Sequence, residues 1–327
     1  MNTSSGELVR AFAAAGPAFV AAFALATGIG SHASAAAPDW AQVPARAITL
    51  LYPGQASWEW VLTERDHSGA PKFRAGKNCR GCHEGEQADM GASIQKGGKL
   101  EPTPIAGKPG SLALNVQVAR DAGRLYFRLR WKGAPASGQK QDPEFAARAT
   151  VMLGDAQVKE APRAGCWGSC HDDAQGMASA APDGAISKYL GASRAQLSRQ
   201  GGGENYKPAA NLQSLLQQGA FLEFWQAKLN PGKPAVAASG YILDKRKLQS
   251  TPSTQAEASI ANGEWTVVLS RALKAAGSGQ KDLAAGKPFA VGFAIHDDYA
   301  NHRFHFVSLE QSLAIDSGTA DFVAKAE

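Results

Sequence analysis

The chain has 327 residues, enough for one large domain or two small ones around a sizeable core. It is 44% hydrophobic, 8% aromatic and 19% charged, a balance that excludes a disordered chain. The formal net charge of +5 comes without any Lys/Arg run, so nucleic acid is excluded as a partner and the excess reads as a weakly basic, soluble surface.

At the N-terminus Arg10 precedes an apolar, alanine-rich stretch from Ala11 to Gly30 and then "SHASAAAPDW". Ala33 and Ala35 supply an A-x-A cleavage site, so residues 1–35 read as a Sec-type signal peptide and the mature chain begins near Ala36. An uncleaved anchor helix is the alternative, which Gly16 and Pro17 weaken. No later segment is apolar enough to span a bilayer. The mature protein is therefore expected in the periplasm with no stable membrane span, a compartment where cysteines pair, bind metal or carry haem.

Residues 36–104 show aromatic and apolar anchors (Trp40, Leu50, Leu51, Tyr52, Trp58, Trp60) without sustained periodicity. They are expected to be an irregular segment wrapped around "NCRGCHEGE", which holds Cys79, Cys82 and His83. Residues 105–327 then read as a mainly β domain. "LALNVQVARDAGRLYFRLRWKG" gives two alternating strands, 112–119 and 124–132, around a turn. Further strands are predicted at 147–153, 256–261, 264–273, 288–298 and 303–315, which suggests an antiparallel sandwich or barrel. "ASRAQLSRQ" and "NLQSLLQQG" are predicted as short helices.

The four cysteines fall into two pairs, Cys79/Cys82 and Cys166/Cys170. Each pair is followed at once by a histidine, His83 and His171. C-x-x-C-H is the c-type haem attachment sequence, in which two thiols reach the vinyl groups and the adjacent imidazole becomes the proximal ligand. A zinc site and disulfides are the alternatives, but neither needs a histidine behind each pair, and adjacent residues rarely reach one small tetrahedral ion. Two covalently attached haems c are therefore expected, the second on a C-x-x-x-C-H variant whose extra residue bulges the loop.

The succession "LYFRLRW", "GCWGSCHDD", "ISKYL", "FLEFWQAKL", "GEWTVVLSRAL", "FAVGFAIHDD" and "RFHFVSLEQSLAI" resembles the haem-binding domain of ethylbenzene-dehydrogenase-type gamma subunits and related dihaem cytochromes, over residues 105–320. The resemblance implies a β-sandwich with haem at one end, exchanging electrons with a molybdenum enzyme. Many gamma subunits hold a b-type haem through methionine and lysine. Here Cys166, Cys170 and His171 depart from that pattern, and His305 falls where the family places its lysine.

Six-coordinate iron needs a second axial ligand, usually histidine or methionine. For the second haem His305, on a predicted strand, leads and Met177 is the alternative. His296 and His302 read as neighbours of the haem or as surface residues, and Met152 as core packing. For the first haem His67 and Met90 compete, with His67 favoured. The function implied is a periplasmic dihaem cytochrome, an electron carrier rather than an enzyme. Its expected partners are a membrane cytochrome or quinol oxidase as donor and a periplasmic reductase or dehydrogenase. The alternatives are a peroxidase-like or thiosulfate-oxidising haem enzyme with one open iron, and a zinc-stabilised sugar-binding sandwich.

Overall fold

The structure, a computed structural model, describes residues 38–54, 58–97, 101, 104–134, 138, 140–165, 169–171, 188–196, 206–301 and 304–326. The predicted signal peptide, Cys166, Met177 and His302 lie outside these residues. Among the described residues no helix is long and apolar enough to cross a membrane.

Strand β1 (Arg46–Leu51) is followed by four short helices, α1 (Trp58–Leu62), α2 (Ala70–Arg74), α3 (Arg80–His83) and α4 (Gln87–Gln95). Next come β2 (Ser111–Arg120), β3 (Arg124–Lys132), β4 (Ala147–Gly154), helix α5 (Ala161–Ala164), β5 (Ser169–His171) and β6 (Lys188–Leu190). Helix α6 (Ala209–Gln217) leads into β7 (Leu222–Leu229), β8 (Val236–Ile242) and β9 (Arg246–Leu248). The chain closes with β10 (Gln255–Ala261), β11 (Glu264–Ala272), β12 (Phe289–His296), β13 (Phe306–Val307), β14 (Gln311–Ile315) and β15 (Phe322–Ala324).

The fold is mainly β. Thirteen strands form one sheet in the order β10-β11-β3-β2-β1-β13-β12-β4-β7-β8-β9, with β14 on β12 and β15 beside β14. All pairings are antiparallel except β14 with β15. Phe127 of β3 and Trp225 of β7 are six strand steps apart along that order, which in a flat sheet is roughly 29 Å. Their rings nevertheless meet at 5.6 Å, and Phe127 also meets Phe293 of β12 at 6.0 Å. The sheet therefore doubles back, so that β3 and its neighbours face β4, β7 and β12 across a common core. Fully burying Phe127 and Phe293 contributes roughly 1.5–3 kcal/mol each.

Alternation in β3 and β11 follows from this: one face enters the core and the other meets water. Strands β4, β7 and β12 are buried on both faces, because a second apolar cluster (Met152, Leu222, Phe224, Leu243, Val307) covers their outer side. Met152 is core, as its alternation predicts. The two-sided burial also hid β7 from period-2 reading. In the family-like stretch "WTVVLSRAL", Arg271 is fully buried and pairs with Glu223 at 2.8 Å. Trp225 Nε1–H and the Lys281 backbone N–H donate to the same carboxylate at 2.6 Å each. Burial pushes Glu223 up and Arg271 down despite their attraction, so this network fixes the two layers at a desolvation cost rather than adding surplus stability.

Two expectations change. The segment before residue 104 is more ordered than "irregular" implies: β1 lies mid-sheet, paired with both β2 and β13, and α4 docks on the sheet through glycines. A Cβ on Gly91 would lie 1.8 Å from the Gly110 carbonyl oxygen, the same oxygen that accepts the Tyr52 N–H at 2.8 Å. Also, "ASRAQLSRQ" is not a helix over its described residues. It makes a single 3-10 turn at Gly191–Ser193. The Leu190 N–H is already committed to the Leu243 carbonyl at 2.7 Å, and Arg194 is held between Tyr189 and Tyr206, with its guanidinium carbon 3.9 and 4.7 Å from the ring centres.

Candidate haem centre

Asn78 Oδ1 accepts the Gly81 N–H at 2.8 Å and the His83 N–H donates to the Cys79 carbonyl at 2.9 Å. These bonds wind Cys79–His83 into one helical turn, which sets Cys79, Cys82 and His83 on the same wall of a cavity of about 630 Å³, a volume in the range of cofactor pockets. Trp60, Val61, Phe73 and Ile94 supply apolar lining, and both His67 and Met90 reach the same space. Cys79 is buried and Cys82 exposed, and neither is in a disulfide. Burial, reinforced by the Glu310 carboxylate, pushes the Cys79 thiol up to about 12.

His67 and His83 face one another with ring centroids 6.3 Å apart and planes inclined at 37°. Two imidazoles on opposite sides of one metal, each with a metal–nitrogen bond of about 2 Å, have centroids roughly this far apart. The His67 Nδ1 donates to the Val61 carbonyl at 2.9 Å, which fixes the tautomer and leaves Nε2 as the lone-pair nitrogen. The His83 Nδ1 is held by Glu86 Oε2 at 2.9 Å, the kind of contact that orients a ligand ring. Trp60 stacks on His67 at 5.5 Å, and Gly69 lies so close that a Cβ there would be 3.0 Å from His67 Nε2. Two thiols, two pre-oriented imidazoles and an apolar cavity fit a haem c.

The second motif is built differently. Gly165 turns the chain with φ +54°, and Ser169–His171 run as β5, antiparallel to β6 with Cys170 opposite Tyr189 and His171 opposite Lys188. His305 is 3% exposed and its ring stacks on His296 at 4.5 Å and 21°. It sits at a bend before β13 rather than within the long predicted strand, which is broken between Val307 and Gln311. Beside it Lys108 lies 4.6 Å over the Phe306 ring. Burial lowers its ammonium to about 8, partly offset by Asp297 and Asp298.

Comparison with known proteins places this chemistry. Cytochrome c-552 of Stutzerimonas stutzeri is 38% identical over 293 residues, covering 88% of this chain and 91% of that protein. Cytochrome c-551 of Rhodocyclus tenuis is 30% identical over 280 residues, covering 85% of this chain and 95% of that protein. The chain belongs to this family of c-type cytochromes. Residues 240–308 also match the family profile described as ethylbenzene dehydrogenase, in agreement with the domain resemblance. As a c-type cytochrome the protein transfers electrons and holds covalently bound haem.

Sequence reasoning missed Glu86, although its place three residues after His83 on a turn is a readable signal. It also missed the Val61 carbonyl, which carries no side-chain signature, and Glu310, whose contact with the first motif spans most of the chain.

Proposed function

We propose that the protein is a periplasmic dihaem cytochrome that relays single electrons between a respiratory donor in or at the membrane and a periplasmic reductase or dehydrogenase, of the molybdenum type that the domain resemblance implies. The observation that carries the reading is the pairing of His67 and His83 across the cavity that Cys79 and Cys82 line. Cys79 and Cys82 attach the first haem, His83 is its proximal ligand and His67 its distal one, with Met90, which lines the same cavity, as the alternative. Cys166 and Cys170 attach the second, with His171 proximal and His305 distal, Met177 being the alternative there. When bound, haem supplies a one-electron iron centre whose axial ligands tune its potential.

The residues' work is positional. Glu86 and the Val61 carbonyl hold the two imidazoles, while Trp60, Phe73 and Ile94 keep water from the cavity. Intact mass of the denatured holoprotein tests the reading. A gain of two haems is expected, and a gain of one removes the C-x-x-x-C-H site while leaving the first intact.

A further inference from the structure

Both cysteine motifs converge on one buried carboxylate. Glu310, between β13 and β14, is 4% exposed. Its Oε1 accepts the backbone N–H of Arg80, the residue after Cys79, at 2.9 Å. From the other side Gly165, the residue before Cys166, presses on its backbone, so closely that a Cβ on Gly165 would lie 2.9 Å from Glu310 Cα. The Cys79 N–H donates to the Arg163 carbonyl at 2.9 Å, which ties the two loops together beside it. The second oxygen, Oε2, is buried and accepts no hydrogen bond from the described residues.

The charges around it are committed elsewhere. Arg80 pairs with Glu84 and with Asp321 at 2.7 Å, and only its Nη1 approaches Glu310, at 3.5 Å from the main-chain oxygen. Arg46 is taken by Asp321 at 3.0 Å. Arg163 stacks on Phe73 and donates to the Phe73 and Lys77 carbonyls. Among the described residues Glu310 thus has no ion pair of its own, in a poorly solvated place next to the backbone that carries Cys79.

We propose that Glu310 is a proton-binding site coupled to reduction of the haem at Cys79 and Cys82. The inference rests on that haem reading. Reduction of a haem held by Cys79 and Cys82 would bring one electron from the redox partner and lower the positive charge on the far side of the backbone that Glu310 Oε1 holds. A proton from solvent then adds to Oε2, and the local charge is unchanged. Reoxidation returns the electron to the acceptor and the proton to water. Burial, with Glu84 adding to it and Arg80 opposing it, raises the Glu310 carboxyl to about 7, which puts the exchange within the working range of pH. The sign follows from linkage: where reduction takes up a proton, the potential falls as pH rises.

The test is spectroelectrochemical titration of the holoprotein across about pH 6 to 8. Glu310→Gln keeps a side-chain oxygen for the Arg80 N–H and the same volume, but removes the titrating group. The wild type is expected to show a potential that falls with pH, Glu310→Gln a flat one, and Glu84→Gln, at a carboxylate whose side chain is 58% exposed, the wild-type slope. Should Glu310→Gln not fold, proton uptake by the unbuffered wild type on reduction, read with a pH dye, is the second measurement. A slope that survives Glu310→Gln, a slope lost in Glu84→Gln, a pH-independent wild type or an absence of proton uptake overturns the proposal. A wild-type mass lacking the haem at Cys79 and Cys82 overturns the haem reading and this proposal with it, a result distinct from a pH-independent potential in a fully loaded protein.

Discussion

The two cysteine motifs differ by one residue in spacing and by much more in backbone. In the first, Cys79 to His83 is one helical turn closed by an i to i+4 bond. In the second, the chain enters from a left-handed glycine and continues through Ser169–His171 as a strand on β6. The described end of the longer motif, Ser169–His171, is thus a strand where the corresponding end of the shorter one is a helical turn. A c-type signature specifies which groups must meet the porphyrin edge and the iron. It leaves open how the backbone delivers them.

The strongest way to break this comparison is to remove each cysteine pair. Cys79→Ala/Cys82→Ala and Cys166→Ala/Cys170→Ala are each expected to abolish one covalent haem, read as the mass of one haem in the denatured protein. A second double variant that loses nothing would leave the strand-borne motif without its assigned role.

Distal ligation comes next. His67→Ala is expected to open one sixth position, so that the ferrous protein binds carbon monoxide at one haem per chain, while Met90→Ala binds none. His305→Ala is expected to do the same at the other haem, and His302→Ala not. If Met90→Ala or Met177→Ala binds the gas instead, the corresponding centre is His/Met ligated.

A smaller effect sharpens the helical side of the comparison. Glu86→Gln weakens the contact that orients His83. Outer-shell changes cost about 10–100-fold in metal affinity, and with Glu86 largely exposed the lower end applies. A tenfold loss confined to the ferric state raises a one-electron potential by about 59 mV, measurable by the same titration. Smallest of all is Gly69→Ala. The backbone there (φ −76°) accepts alanine, so the stability change is under about 1 kcal/mol. The new methyl presses on the His67 ring, and a slight shift of the haem bands is the expected result.

The legible part of the molecule was the part with short-range logic. Alternation marked β2, β3 and β11, and adjacency of Cys82 and His83 marked the haem site. His67 was nameable, and preferred to Met90, because a polar turn has no structural use for imidazole, yet its 6.3 Å approach to His83 depends on tertiary packing that no local pattern carries. Strand β7 had no period because both faces are covered, whereas β12, equally covered, was read at 288–298 from its apolar run alone. Residues 303–315 read as one strand, since nothing local shows that Glu310 must leave the ladder to meet Arg80, 230 residues away.

Strand β1 carries a consequence for how the chain is made. It precedes both motifs in sequence yet pairs through Leu51 with Val307, so the middle of the sheet stays open until nearly all of the polypeptide has emerged. Contacts of such long range make closure slow. During that interval Cys79 and Cys82 belong to an unfinished protein, accessible to whatever machinery forges thioethers. Once β1 locks between β2 and β13, Cys79 is a buried residue of the cavity wall. Timing, not only affinity, is thereby built into the topology: an interval for attachment precedes the last strand.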